Sequence, residues 1–186
     1  MTRVAAEQHG YFTAAQARDV GYSYQAQKFH VDHGNWARVE RGLFRLPEWP
    51  VSDDDHLVRW TLWSRRQAVV SHQSALAAHG LGDVDPARIH MSVPPGFRRE
   101  SSAVVLHHQT VSLRDVEDRG GYRVTTPARA VAESAAESVP QELLDGAVVE
   151  ALDQGITTHR RLLDAAAELG PRAELGVERA LQAVRR

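Results

Sequence analysis

The sequence predicts an α+β protein on three observations. Residues 2–33 carry capping residues and glycines at the spacing of short helices. Residues 36–46 alternate with the period of strands, and the remaining chain sets short β-branched runs ahead of long helical segments.

Taken in order, the first helix covers residues 2–9 and ends at Gly10. Thr13 reads as the N-cap of a helix over 14–20, closed by Gly21. Ser23 caps a further segment over 24–33, which Gly34 ends. Two short helices separated by Gly21-Tyr22-Ser23 form a helix-turn-helix, with the second as candidate recognition helix. In the run from Trp36 to Leu46, Trp36, Val39 and Phe44 are the apolar members and Arg41-Gly42 is the turn. A hairpin directly after a helix-turn-helix is a wing, so the N-terminal part reads as a winged helix-turn-helix. Two prolines in Leu46-Pro47-Glu48-Trp49-Pro50 favour an extended connector. The expected domains are therefore residues 1–50 and 51–186.

The second domain reads as mixed α/β with a helical C-terminal part. Helices are expected over 56–64 and from a cap at Ser71 to Gly80. Short strands follow at 89–93, 104–107 and 122–125. Thr126-Pro127 opens a helix to about residue 137, with Pro at N1. Three more helices are expected at 141–154, 158–169 and 173–184.

Composition narrows the function classes. The chain has 186 residues, no cysteine and a net charge of -2, which excludes a disulfide framework and thiolate zinc sites. No apolar run approaches the ~20 residues of a membrane span, and the N-terminal heptapeptide lacks the apolar core of a signal peptide. The expectation is a cytoplasmic protein without a membrane partner. Residues 1–50 hold six basic and five acidic side chains, against sixteen and nineteen in the remainder. Any nucleic-acid footprint is thus small and confined to the N-terminal domain.

That domain carries suitable chemistry. Ser23, Gln25, Gln27, Lys28 and His30 offer donors and acceptors on the second helix, where Gln suits adenine and Lys suits guanine or phosphate. Arg38, Arg41 and Arg45 on the hairpin suit phosphates or a minor groove. The bland alternative is a solvated winged-helix surface used for protein contacts.

The segments Gly10-Tyr-Phe-Thr13, Gly21-Tyr-Ser23 and Gly34-Asn-Trp-Ala-Arg-Val-Glu-Arg-Gly-Leu-Phe-Arg-Leu46 resemble the N-terminal domain of AbiEi-family antitoxins. Val70-Ser-His-Gln-Ser-Ala-Leu-Ala-Ala-His-Gly-Leu81, Ile89-His-Met-Ser-Val-Pro94 and Val124-Thr-Thr-Pro-Ala-Arg-Ala-Val131 are similar to later segments of the same family. The resemblance covers about residues 8–135. Gln27 departs from it, standing where an aliphatic residue is expected. It implies an antitoxin of a type IV toxin–antitoxin system. Such a protein represses its own operon at an inverted repeat in its promoter and neutralises a cognate nucleotidyltransferase-like toxin through the second domain. The acidic helix over 141–154, with Glu142, Asp145, Glu150 and Asp153, is the candidate toxin contact, by charge complementarity to a basic cleft.

Enzymatic readings are weaker. His72 and His79 are two helical turns apart, too far for one ion, and adjacent His107 and His108 point to opposite faces of a strand. A metal site drawn from His72, His79, His90 and His107 is the minor reading, and no metal, cofactor or catalytic residue is expected. A Vsr-like nuclease lacks its lysine, because Lys28 is the only lysine in the chain and lies in the helix-turn-helix. Asp83 and Asp85 read as turn formers, and Ser71-His72 as a cap rather than a nucleophile pair. A stand-alone winged-helix regulator, whose second domain senses a ligand or dimerises, is the alternative to the antitoxin.

Overall fold

The computed structural model describes residues 1–137 and 139–184. The chain is α+β and divides into two compact units: Met1–Gln67 with Asp118–Tyr122, and Ala68–Glu117 with the chain from Arg123 onward.

The first unit runs α1 (Thr2–Ala6), β1 (Tyr11–Thr13), α2 (Ala14–Asp19), α3 (Tyr24–Asp32), β2 (Ala37–Glu40), β3 (Leu43–Arg45) and α4 (Asp55–Trp63). This is the order of a winged helix-turn-helix, with an antiparallel sheet β1-β3-β2. Strand β1 is an addition to the sequence reading. At three residues it is too short to show a period, and it is fixed by pairing Phe12 with Phe44 and Tyr11 with Arg45. The first helix also stops earlier than expected, because the buried Gln8 serves the turn instead. Its Nε2 donates to the Tyr11 carbonyl at 3.0 Å, and its amide pairs reciprocally with that of Gln16. Gln16 in turn completes the capping box, accepting from Thr13 N–H while Thr13 Oγ1 accepts from Gln16 N–H.

Trp36 is the hub of this unit's core. Phe12 meets its ring edge-on at 4.8 Å, Tyr22 lies at 5.0 Å, and His30 stacks on it at 4.7 Å. Trp36, Phe12, Ala5, Ala17 and Phe44 form one buried cluster, against which partly buried Tyr22 packs. Aromatic pairs of this kind contribute about 0.5–1.5 kcal/mol each beyond their buried area.

The unit does not end at residue 50. Trp49 packs over Gly10, whose φ of +84° is open to glycine and where any Cβ would collide with the indole. The Asp55 carboxylate accepts from Ser52 Oγ at 3.1 Å and from Arg45 Nη2 at 3.0 Å, which ties the start of α4 to the sheet. The proline-rich stretch is therefore packed chain, and the compact unit runs on to Gln67. Buried Tyr122 belongs to it too, donating its hydroxyl to Asp54 Oδ2 at 3.0 Å. Burial and the neighbouring Asp54 charge push this phenol up to about 12.

The second unit holds β4 (Val69–Val70), α5 (His72–Ala78), β5 (Ile89–Val93), β6 (Val104–His108), β7 (Val116–Asp118, whose last residue clusters with the first unit) and β8 (Arg123–Thr125). The sheet order is β6-β5-β4-β8-β7, with β4 antiparallel to β5 and parallel to β8, and β5 parallel to β6. Strands β4 and β7 are further additions. Ala68, Val69 and Val70 are all buried, so β4 shows no alternation to read. Helices α6 (Pro127–Ala136), α7 (Gln141–Asp153), α8 (His159–Leu169) and α9 (Pro171–Ala183) follow. Every residue of α6 from Pro127 to Ala135 is buried. Its alanines let neighbours approach closely: a Cβ at Gly176 of α9 would lie 2.9 Å from Ala135 Cβ. Among the described residues, no helix is long and apolar enough to cross a membrane.

Candidate nucleic-acid interface

Helix α3 is set by its cap and by one buried amide. Ser23 Oγ accepts from Ala26 N–H at 3.2 Å, so this hydroxyl is engaged at the N-cap. Gln27 is 3% exposed, and its Nε2 donates to the Ala14 carbonyl at 3.1 Å and the Tyr22 carbonyl at 3.0 Å. The side chain locks α3 to α2 and the turn. Gln27 is therefore removed from the base-reading set. It occupies an inward position, which accounts for the aliphatic residue expected there.

Two further residues are corrected. His30 is half-buried, stacked on Trp36 and hydrogen-bonded to Asn35 at 3.2 Å, so it supports the core more than it faces solvent. Arg45 points inward from β3, donating to the Pro50 carbonyl at 2.9 Å and to Asp55, with its side chain 14% exposed. It holds the start of α4 and leaves no cation for a phosphate.

Besides exposed Ser23, whose hydroxyl is spent on the cap, four of the expected residues remain exposed: Gln25 and Lys28 on α3, Arg38 on β2, and Arg41 in the turn. Lys28 pairs with Asp32 one helical turn on, an exposed contact of small energetic weight. Arg38 lies over the Phe44 ring at 6.0 Å. The wing's acid, Glu40, is bound by Arg59 of α4, whose Nε donates at 2.9 Å, so it does not neutralise Arg38 or Arg41.

The sequence reading missed Tyr24 and Arg18. Tyr24 opens α3 at 66% exposure, and Arg18 Nη1 donates to its hydroxyl at 3.1 Å while the guanidinium covers the ring. An aromatic residue directly after an N-cap serine was the available signal. Phe29 is also exposed, at 54%, and stacks on His33 at 3.8 Å.

In the second unit the proposed acidic face of α7 breaks up. Glu150 Oε2 accepts from Gly82 N–H at 2.7 Å, and Asp145 Oδ1 accepts from Gln141 at 2.7 Å. Both are half-buried; Glu142 and Asp153 stay exposed. Glu150 is thus a structural tie to the turn after α5 and is withdrawn from the contact surface.

Three of the histidines considered in the sequence meet. The rings of His72 and His107 stack at 3.5 Å, and His90 Nδ1 lies 3.1 Å from His107 Nε2. His107 Nδ1 is 3.0 Å from Glu137 Oε1. His79 stands apart, on the Thr125 carbonyl at 2.8 Å. Burial lowers all three clustered imidazoles, His72 to about 2 and His107 to about 4, so each is neutral at pH 7. Behind them, Glu133 accepts from His72 N–H, Thr125 Oγ1, Arg129 Nε and Gln109 Nε2, and burial raises its carboxyl.

Fold and exposed groups together define an α+β protein with an N-terminal winged helix-turn-helix. No protein-family model and no curated protein matches the chain. Among solved structures it is similar to the crystal structure of the RV2827C protein from Mycobacterium tuberculosis, at 16% identity and a TM-score of 0.60, covering 99% of this chain and 78% of that one. At that identity the likeness concerns the fold.

Proposed function

We propose that the chain is a cytoplasmic, non-enzymatic DNA-binding antitoxin of the AbiEi type, which represses its own operon and neutralises a nucleotidyltransferase-like toxin. One observation carries the DNA-binding part. Gln25 and Lys28 on α3 and Arg38 and Arg41 on the wing are exposed together, while the wing's own acid is held by Arg59. Exposed cations on both elements suit phosphate contacts that fix register, with Gln25 and Lys28 available for base edges. The toxin-neutralising part rests on the family resemblance along residues 8–135, with exposed Glu142 and Asp153 and half-buried Asp145 as its remaining acidic contacts.

Fluorescence anisotropy with DNA from upstream of the gene tests the first part. The expected result is saturable binding to an inverted repeat, tighter than to scrambled DNA of the same length. Equal affinity for both duplexes contradicts sequence-specific repression. Rescue of cells from the product of an adjacent nucleotidyltransferase-like gene tests the second, and Glu142→Lys with Asp153→Lys should weaken it.

A stand-alone ligand-responsive regulator is the second reading. It is favoured by a cavity of about 360 Å³ in the second unit, lined by Arg114, Asp115, Thr126, Thr157, Arg161 and Glu168 among others. That volume lies at the lower end for small-molecule sites. The absence of any toxin gene beside this one would favour it.

A further inference from the structure

We propose that His72, His107 and Glu137, joined by His90, form a binding site for a divalent transition-metal ion, with zinc the ion its ligands suit best. One donor atom from each of His72, His107 and Glu137 lies within 4.8 Å of the others. Ligands of a tetrahedral zinc ion stand about 3.3 Å apart, given Zn–N distances of about 2.0–2.1 Å. The His72 and His107 rings, stacked at 3.5 Å, must turn out of parallel for both to point a nitrogen lone pair at one ion. His90 lies on the same side, with Nδ1 3.8 Å from Glu137 Oε2. Three imidazoles and one carboxylate form a nitrogen-rich set that favours zinc, copper or nickel over magnesium and calcium.

The surroundings resemble the supporting shell of a metal site. Ser71 Oγ lies 2.9 Å from His72 Nδ1, which orients that ring and leaves its other nitrogen for a ligand. Glu133, itself 1% exposed, takes the His72 backbone N–H at 3.2 Å. His72 has a φ of +53°, a strained left-handed backbone at a buried non-glycine residue. That conformation carries the ring to the cluster at the start of α5, where an ordinary helical N-terminus needs no such strain. Access is open from one side: the three rings are 6%, 14% and 11% exposed, and Glu137 is 38% exposed.

Zinc titration of the chelator-stripped full chain, followed by calorimetry, tests the site, with cobalt(II) absorption reporting coordination. The expected result is one saturable equivalent, the intense visible bands of a four-coordinate cobalt ion, and a raised unfolding temperature. His107→Gln and Glu137→Gln should each lose more than the roughly 10- to 100-fold in affinity that changes outside the ligand shell cost. His108→Gln, exposed on the same strand, should bind as the parent does. Glu137→Gln lies at the surface end of the cluster, so it keeps the test valid if the His107 variant fails to fold. No saturable binding, or unchanged affinity in Glu137→Gln, overturns the proposal.

Discussion

Replacing Gln27 with alanine separates a structural role from a DNA-reading one. The side chain is 3% exposed and donates to two carbonyls, Ala14 at 3.1 Å and Tyr22 at 3.0 Å. Each hydrogen bond contributes about 0.5–1.5 kcal/mol net, and a carbonyl left without its donor costs roughly 1–3 kcal/mol. The Ala14 carbonyl lies within α2 and has the helix ladder to fall back on, so the larger penalty falls on Tyr22. Adding the space left by the missing side chain, the expected loss is about 2–4 kcal/mol. Urea unfolding, followed by tryptophan fluorescence, reads it directly, since Trp36 sits in the same core. Gln27→Glu should be worse near neutral pH, because a carboxylate would face two carbonyl oxygens. A stability change below about 0.5 kcal/mol with a marked loss of DNA affinity would refute the inward assignment.

Three further outcomes follow from the same geometry. Metal-free protein should lose stability as pH falls from about 6.5 toward 4. His72 and His107 are held neutral when folded, at about 2 and about 4, while unfolding frees them to take up protons. Each contributes a slope of about 1.4 kcal/mol per pH unit in that window, and Glu133, whose raised carboxyl takes up its proton earlier in the folded chain, opposes one of the two from its folded value down to 4.5. Urea midpoints between pH 7.5 and 5 should fall for the parent chain and fall less for His107→Gln, and a flat parent profile contradicts this. Arg45→Ala should destabilise the first unit by about 1–3 kcal/mol by leaving buried Asp55 without its cation, yet leave the salt dependence of DNA binding unchanged. Gly82→Ala should cost more than Gly80→Ala in thermal unfolding: both have positive φ, but only at Gly82 would the new Cβ meet backbone, 2.7 Å from the Leu143 carbonyl.

Much of this fold was legible from punctuation in the sequence. Thr13, Ser23 and Thr158 cap helices through their side chains, and Gly42 closes the wing turn with a φ of +75°. Ser71 and Thr126 precede helices as expected but make no side-chain cap bond, and Ser71 turns to His72 instead. What escaped notice was short or tertiary. β1, β4 and β7 have two or three residues each and exist only through their partners. Polar residues misled for a related reason: Gln27, Arg45 and Glu150 have surface chemistry, but their partners are distant in the chain or across a turn. The histidine cluster is of the same kind. His72, His90, His107 and Glu137 come from four elements or their ends, and no spacing along the chain marks their meeting.

The most direct test of the account is the salt dependence of promoter binding by the parent chain and by a Lys28→Ala, Arg38→Ala, Arg41→Ala variant. Each phosphate contact contributes about 0.9 to the slope of log affinity against log salt concentration. The variant should bind more weakly across sequences and lose about two to three units of slope, while remaining as stable as the parent because these side chains are exposed. An unchanged slope and affinity in the folded variant would contradict the assignment of this face to DNA.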